Sequence, residues 1–297
     1  MYKKYPSMIM ILVIYILATL IGVFLFNLLT FKSIMLNIFI ANVAATFFIW
    51  ILGLLLKNAS LYDPYWSVQP PVIFLFLMDL YQASWSTLNV LLFLGIMVWS
   101  LRLTYNWAKS WIGFQEQDWR YTMIKEKAPK LFLVSNLFGI HMMPTAIVFI
   151  QLLTLDKLLL SSIKSLPIVF AGFIIMIISA MIQYISDEQM RRFKGKSKGE
   201  KKCIEEGLWK YSRHPNYFGE IMVWWGLYIM YLGATLEIDF HIISPILMTS
   251  LFLFISIPMM EKKILLSRPE YAAYQERVSM IIPYFRKEES SQIKEES

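Results

Sequence analysis

The feature that most constrains this chain is a series of long segments without charged residues. Met8–Leu29 contains 22 consecutive uncharged residues, and Ile34–Leu56 and Ser165–Ser186 are uncharged as well. About 20 apolar residues in a helix span the roughly 30 Å hydrocarbon core of a bilayer. Helices and closed barrels satisfy their backbone polar groups in lipid, and the sequence shows no barrel-type alternation. The sequence therefore predicts a membrane protein built from helices.

Eight apolar segments can be followed along the chain, and we expect an all-α, polytopic transmembrane helix bundle of seven to eight spans. The number of spans is open because Val68–Gln82 is short and contains Asp79. This segment either crosses the membrane or enters and leaves it on the same side. The first segment has no small-residue cleavage site, which favours a retained span over a signal peptide. The segments are Met8–Leu29, Ile34–Leu56, Val68–Gln82, Ser86–Ala108, Leu131–Leu155, Ser165–Ser186, Glu220–Leu236 and His241–Met260.

The distribution of Lys and Arg predicts the orientation of the bundle. With eight spans and an inner N-terminus, the outer segments hold only Lys32, Lys157 and Lys164, whereas the inner segments hold 24 of the 28 Lys and Arg residues. An excess of Lys and Arg is typical of cytoplasmic loops, so both termini are expected in the cytoplasm. The same bias accounts for the net charge of +7 without invoking nucleic acid.

The chain is expected to form one domain with a polar tail. No Pro-, Ser- or Gly-rich linker divides residues 1–286, which we interpret as a single membrane-embedded domain. Residues 287–297 are polar and poor in apolar side chains, which predicts disorder. One cysteine, Cys203, and three widely separated histidines predict neither a disulfide nor a metal site.

Four ionisable residues lie within or beside the apolar segments, where a charge is costly: Arg102, Asp187, Glu220 and Glu261. The predicted topology places all four at the inner membrane boundary. One interpretation is that they are boundary charges whose side chains reach water. Their shared position instead favours paired or functional roles on the cytoplasmic side.

The segment that follows the sixth apolar stretch carries charges at helical spacing. Asp187, Arg191 and Lys194 recur at i, i+4 and i+7 and therefore share one helix face. Such a face is compatible with binding of anionic lipid. It is also compatible with a phosphate clamp, because the Arg guanidinium matches phosphate oxygens.

The segment Gly207–Glu220 concentrates chemically capable side chains. A connector between helices needs only turn formers, whereas this one combines stacking rings, a fixed cation, an amide and an acid close to a helix N-terminus, which favours anions. An interfacial aromatic belt explains the rings but not Asn216 or Glu220. We therefore interpret the segment as the lining of a nucleotide-like cofactor site. Its side chains of interest are Trp209, Tyr211, Arg213, His214, Asn216, Tyr217 and Glu220.

The stretch Ser212–Glu220 (SRHPNYFGE) resembles the signature of the membrane steroid 5α-reductase superfamily, in particular its bacterial branch of 3-oxo-5α-steroid 4-dehydrogenase-like proteins. Membrane isoprenylcysteine and phospholipid methyltransferases share the shorter Arg-His-Pro-x-Tyr core. Asn216, Glu220 and the run at Asp187 favour the reductase branch. The resemblance extends roughly from Leu61 to Pro283. Its other matching stretches are Leu61–Ser67, Gln117–Tyr121, Ser186–Lys194, and Glu261 with Arg268–Tyr274.

The resemblance implies an NADPH pocket that opens to the cytosol of a bacterial inner-membrane enzyme. By motif position, cofactor phosphate or ribose is assigned to Asp187, Arg191 and Lys194. The path from adenine to nicotinamide is assigned to Trp209, Arg213, His214, Asn216, Tyr217 and Glu220, and the C-terminal side to Glu261 and Tyr274. In these reductases a Tyr–carboxylate pair polarises the substrate carbonyl. The candidates for that pair here are Asp63, Tyr65 and Tyr105.

The leading hypothesis is an NADPH-dependent oxidoreductase of lipid metabolism that reduces an enone-type C=C bond in a lipophilic, steroid-like or polyprenoid substrate. In such a reaction a buried acid stabilises the negative charge that develops on the conjugated oxygen. The alternative is an S-adenosylmethionine-dependent membrane lipid or isoprenylcysteine-type methyltransferase, which would use the same region from Arg213 to Tyr217. A third possibility is a lipid-binding or transport protein, which does not need the cytosolic cluster. The expected partners are a lipophilic small molecule and membrane lipids, without nucleic acid or metal.

Overall fold

Residues 4–197 and 202–286 are described by the computed structural model, and they form helices without a strand. This confirms the all-α prediction for these residues, whereas the predicted tail 287–297 lies outside them. The first five helices are α1 (Lys4–Leu28), α2 (Ile34–Leu55), α3 (Tyr65–Leu80), α4 (Thr87–Ser110) and α5 (Trp119–Lys127). The following five are α6 (Pro129–Leu159), α7 (Leu166–Lys196), α8 (Pro215–Thr235), α9 (Phe240–Ser267) and α10 (Tyr271–Arg277).

Six of the described helices are long and apolar enough to cross a membrane, namely α1, α2, α4, α6, α7 and α9. The chain is therefore an integral, multi-pass membrane protein. The other two predicted segments are helical too. The 16 residues of α3 extend about 24 Å, which is less than a bilayer core, and the 21 residues of α8 begin with several polar side chains. A total of seven or eight spans and the cytoplasmic termini stay predictions.

The helices α7 and α8 are antiparallel and pack together along most of their length through glycines. A Cβ atom on Gly172 would lie 2.6 Å from the Gly226 carbonyl oxygen, and one on Gly219 would lie 2.7 Å from the Ser179 oxygen. Cβ atoms do not approach backbone atoms so closely, so only glycine permits this contact. Small residues allow membrane helices to touch backbone to backbone. The contact holds the end of α7 beside the start of α8.

The start of α8 is set by Pro215, which occupies the first helical turn where its missing N–H is not needed. The preceding His214 has a non-helical backbone, with φ −138° and ψ 59°, as expected for a residue before proline. The loop before it is held by the chain beyond α10, because the Arg213 N–H donates to the Ser279 oxygen at 2.8 Å. This end of the bundle is thus assembled from α7, α8, α9 and α10.

Candidate functional site

A cavity of about 550 Å³ lies where α7 ends and α8 begins. Side chains of α4, α5, α7, α8, α9 and α10 and of the loop before α8 form its walls. Its volume is in the range of sites for small molecules and cofactors. We call it the basic cavity, because its lining includes one acid, Asp187, and five cations, namely Arg191, Lys194, Arg213, Lys263 and Arg268.

Asp187 is the centre of a hydrogen-bonded network on one wall of the basic cavity. Its carboxylate accepts hydrogen bonds from the Arg102 guanidinium of α4 and, at 3.3 Å, from the Asn216 amide of α8. Arg102 also donates to Gln183, one helical turn before Asp187. Three helices are therefore joined at one carboxylate. A carboxylate has about four acceptor positions, so Asp187 can still accept a hydroxyl donor from a ligand.

Glu261 lies behind the lining of the basic cavity and fixes several of the residues that form it. Its carboxylate accepts hydrogen bonds from Arg213 at 2.8 Å, His214 at 2.9 Å, Tyr271 at 3.1 Å and Gln275 at 2.7 Å. These four donors come from the loop before α8 and from α10, so one carboxylate fixes both to α9. A buried charge is tolerated when it is paired and fully hydrogen-bonded, as it is here.

Most of the hydrogen-bond donors of Arg213 are used within the protein. Besides Glu261, its guanidinium donates to the backbone oxygens of Gln275 at 2.8 Å and Val278 at 3.0 Å. Few donors remain for a ligand. Arg213 therefore shapes the cavity by holding the chain beyond α10 in place.

Aromatic rings provide flat surfaces in the basic cavity. The His214 and Tyr217 rings are stacked, with centroids 5.3 Å apart and planes within 5°. Trp209 is fixed by a 3.0 Å hydrogen bond from its indole N–H to the Ser186 oxygen. Tyr274 donates its hydroxyl to the Trp209 carbonyl at 2.5 Å, and burial raises the pKa of this phenol, which keeps it protonated. Such fixed rings can stack on a heteroaromatic ligand.

Part of the positive charge at the rim of the basic cavity is not neutralised by protein acids. Arg191 pairs with Glu188 and donates to Asn106 at 2.7 Å. Lys263 lies over the Trp119 ring, 3.7 Å from its centroid. Within residues 4–197 and 202–286, the side chains of Lys194 and Arg268 form no salt bridge. The cavity therefore favours an anionic group.

Nine of the predicted cofactor residues line this one cavity, namely Asp187, Arg191, Lys194, Trp209, Arg213, His214, Asn216, Tyr217 and Tyr274. Glu261 lies behind the wall. Glu220 is buried below it, where it accepts hydrogen bonds from Trp99 at 2.9 Å and Trp224 at 3.3 Å. These geometries make both acids supports of the site, and their assignment as cofactor contacts stays a prediction.

The three candidates for the catalytic acid lie outside the lining of the basic cavity. Asp63 accepts the Tyr121 hydroxyl at 2.5 Å, and burial raises the pKa of Asp63 to about 6. Tyr65 donates to Asn42 at 3.4 Å. Tyr105 is half exposed, with its ring centroid 6.5 Å from that of Tyr184. The structure does not bring these three residues together with the predicted cofactor residues, so their catalytic role stays a prediction.

Sequence reasoning did not assign Trp119, Lys263, Arg268 and Tyr271 to the site, although all four line the basic cavity. Trp119 and Arg268 fall in stretches that carried the family resemblance, and that resemblance could have identified them as site residues. Lys263 stands beside other charges at the end of a span and had no signal of its own. No cluster of three or more potential metal-ligating side chains occurs in the part of the chain that the structure describes.

Comparison with known proteins supports a family and leaves the activity open. The profile of a family described as a protein of unknown function, DUF1295, matches residues 49–278. Methanethiol S-methyltransferase 1 of Bradyrhizobium diazoefficiens is 34% identical over 80 residues, which cover 27% of this chain and 25% of that enzyme. The chain thus matches only a quarter of the length of this relative. No solved structure matches the chain.

Proposed function

We propose that this chain, which belongs to the DUF1295 family, is a membrane-embedded enzyme that binds an adenosine-bearing cofactor in the basic cavity and modifies a lipophilic substrate. The observation that carries this proposal is the convergence, on one cavity, of stacked rings, a shared Asp187–Asn216 pair and uncompensated cations. Rings suit a base, an acid–amide pair suits ribose hydroxyls, and cations suit phosphates.

NADPH is the cofactor that the charges favour. Its phosphates are anionic, whereas S-adenosylmethionine carries a sulfonium cation that the rim would repel. Lys194 and Arg268 line the cavity and would hold phosphate, and Asp187 would hold a ribose hydroxyl. NADPH supplies a hydride when bound, and the chain's own residues would bind it, orient its rings and exclude water. On this basis the reaction is reduction of a C=C bond in a lipophilic molecule.

Methyl transfer from S-adenosylmethionine is the second candidate, and the comparison with known proteins favours it over reduction. The named relative that the chain matches is a methyltransferase. The amino-acid carboxylate of S-adenosylmethionine could pair with one rim cation, and its adenosine could use the same rings. The match covers a quarter of that enzyme, so it does not transfer the substrate.

Direct titration distinguishes the two candidates. Purified protein in detergent is titrated separately with NADPH, NADH and S-adenosylmethionine, and binding is followed by Trp fluorescence and by melting temperature. We expect NADPH to bind and stabilise, because the rim is cationic. Saturable binding of S-adenosylmethionine without binding of NADPH would transfer the proposal to methyl transfer. Binding of neither would overturn the cofactor site.

A pair of lysine variants tests the charge argument. Lys194→Gln removes a cation from the cavity rim, whereas Lys196→Gln removes one from the same end of α7 outside the lining. A charge-assisted contact to phosphate predicts roughly tenfold weaker NADPH binding for the first variant. The second should stay within about twofold, as expected for a long-range screened charge. Equal effects of the two variants would contradict a specific phosphate contact.

A further inference from the structure

A second pocket lies within the bundle between α1, α2 and α3. Its volume is about 80 Å³, it is only partly enclosed, and the exposed faces of α1 and α2 beside it are apolar. Small side chains of α1 and α2 create the space, namely Ala18, Ala41 and Ala45. We call it the apolar pocket. It shares no lining residue with the basic cavity, so it is a separate site.

Two amide side chains in the apolar pocket have polar atoms without partners. Asn42 and Gln69 are each 5% exposed and line the pocket. The Asn42 Nδ2 atom and both the Nε2 and Oε1 atoms of Gln69 form no hydrogen bond within the described residues. Buried polar groups are nearly always hydrogen-bonded, and unpaired ones are especially costly within the apolar spans of a membrane protein. A ligand that satisfies these atoms is the simplest physical reason for keeping them.

The unpartnered atoms specify the chemistry of that ligand. They comprise two amide NH2 groups, each with two N–H donors, and one carbonyl oxygen that accepts. A hydroxyl group can both accept from an NH2 group and donate to a carbonyl oxygen, so it can pair with both kinds of unpartnered atom. We propose that the apolar pocket binds the hydroxyl head of a lipophilic alcohol. The small volume accommodates the head and its first carbons, and the remaining chain lies in the bilayer.

Charge excludes the related anionic amphiphiles. No Lys, Arg or His lines the apolar pocket, so a carboxylate or phosphate head would be buried without a counterion. The nearest titratable lining groups are Tyr15 and Tyr65, and both hydroxyls already donate, to the Leu61 oxygen at 2.7 Å and to Asn42 at 3.4 Å. A hydrocarbon would fill the space but leave the amides unpaired. The pocket therefore selects a neutral, hydrogen-bonding head.

Photo-crosslinking in nanodiscs tests the proposal. The full chain is reconstituted with 1-hexadecanol carrying a diazirine near its head, or with the matched diazirine hexadecane or hexadecanoate at the same mole fraction. Labelled residues are mapped by mass spectrometry. We expect the alcohol to label α1–α3 roughly tenfold more than either analogue, because at least one buried hydrogen bond distinguishes them. Equal labelling by the alcohol and the hydrocarbon in the unmodified protein would overturn the proposal.

Substitutions locate the site and separate binding from folding. Gln69→Leu should abolish the preference for the alcohol without lowering the melting temperature, because the removed polar atoms have no partner in the protein. Ala45→Phe should reduce labelling by alcohol and hydrocarbon alike, because it fills the pocket. Retention of the alcohol preference in Gln69→Leu would refute the assigned head-group site.

Gln151→Leu is the matched control. Gln151 is also a buried glutamine in a helix, but its Nε2 donates to the Ser244 oxygen at 2.7 Å and it does not line the apolar pocket. This variant should lower the melting temperature and keep the alcohol preference. Loss of the preference in Gln151→Leu as well would show that any buried glutamine change disturbs the bundle, and the proposal would fail.

Discussion

The basic cavity and the apolar pocket differ in how their polar groups are satisfied. In the wall of the basic cavity, Glu261 accepts from four donors and Asp187 joins three helices. In the apolar pocket, Asn42 and Gln69 retain unpartnered atoms. The first pattern is that of a site shaped in advance, where ligands meet a fixed frame. The second is that of a site completed by its occupant.

The helices beside the basic cavity also pack more closely than those beside the apolar pocket. At the α7–α8 contact, a Cβ on Gly172 would lie 2.6 Å from a backbone oxygen, so the two helix backbones touch directly. At the α1–α2 contact, a Cβ on Gly22 would make only an ordinary 3.7 Å contact with the Ala41 oxygen. Close packing of helix backbones therefore accompanies the hydrogen-bonded walls of the basic cavity, whereas looser helix packing accompanies the apolar pocket.

The largest expected effect comes from removing the Glu261 carboxylate, which accepts the hydrogen bonds that hold the basic cavity together. Glu261→Gln leaves the Arg213 guanidinium buried without its counter-charge, which should cost about 3 kcal/mol of unfolding free energy. It should also abolish cofactor binding, because the loop before α8 and α10 lose their common anchor. The measurement is melting temperature in detergent together with NADPH titration.

Glu188→Gln is the matched control for that change. Glu188 also binds several cations, Lys109, Arg191 and Arg192, but at the protein surface where water screens the charges. Its loss should lower stability much less than the loss of Glu261. If Glu261→Gln and Glu188→Gln destabilise the protein equally, the basic cavity does not depend on the buried hydrogen bonds of Glu261.

A smaller effect is expected from the helix contacts. Gly172→Ala should destabilise by about 2 kcal/mol, because the new methyl group overlaps backbone atoms of α8. Gly22→Ala should be neutral or stabilise by less than about 1 kcal/mol, because alanine favours helix and meets only ordinary contacts there. Denaturant titration of the two variants side by side measures the difference. A penalty of the same size at Gly22 would remove the distinction between the two regions.

The last prediction concerns the pH dependence at Asp63, which lies between α2 and α3. Because burial raises its pKa to about 6 in the folded protein, the folded state binds a proton more readily than the unfolded chain. Stability from this group is therefore highest near pH 4 and is lost as pH rises to about 6. Asp63→Asn should flatten the dependence of melting temperature on pH in that window. A profile identical to that of the unmodified protein would contradict the raised pKa.

Local properties of the sequence predicted a substantial part of the molecule. The apolar segments are helices, and the spacing of Asp187, Arg191 and Lys194 placed them on one face of α7 that lines the basic cavity. Both inferences needed only chain length, side-chain polarity and helical period. The concentration of functional residues before α8 was visible for the same reason.

Other features could not be predicted because they depend on contacts between distant segments. Nothing local distinguishes Glu261 from a boundary charge, yet it binds His214 and Arg213, which lie almost fifty positions earlier. Nothing local indicates that Asp63 accepts from Tyr121 or that Tyr65 donates to Asn42. Pairing of this kind follows from which helices approach, which propensity does not encode.

The sequence by itself determined that the chain enters a membrane as helices and which residue types gather near one membrane boundary, because hydrophobicity and helical period act over neighbouring residues. Only the tertiary structure decided which acids became supports and which cations stayed available. Those roles depend on contacts between helices, since the close approach of Gly219 to Ser179 and Gln183 holds the start of α8 beside the end of α7, where Asn216 donates to Asp187. Tertiary packing also left the side-chain amide of Gln69 without a hydrogen-bond partner in the apolar pocket.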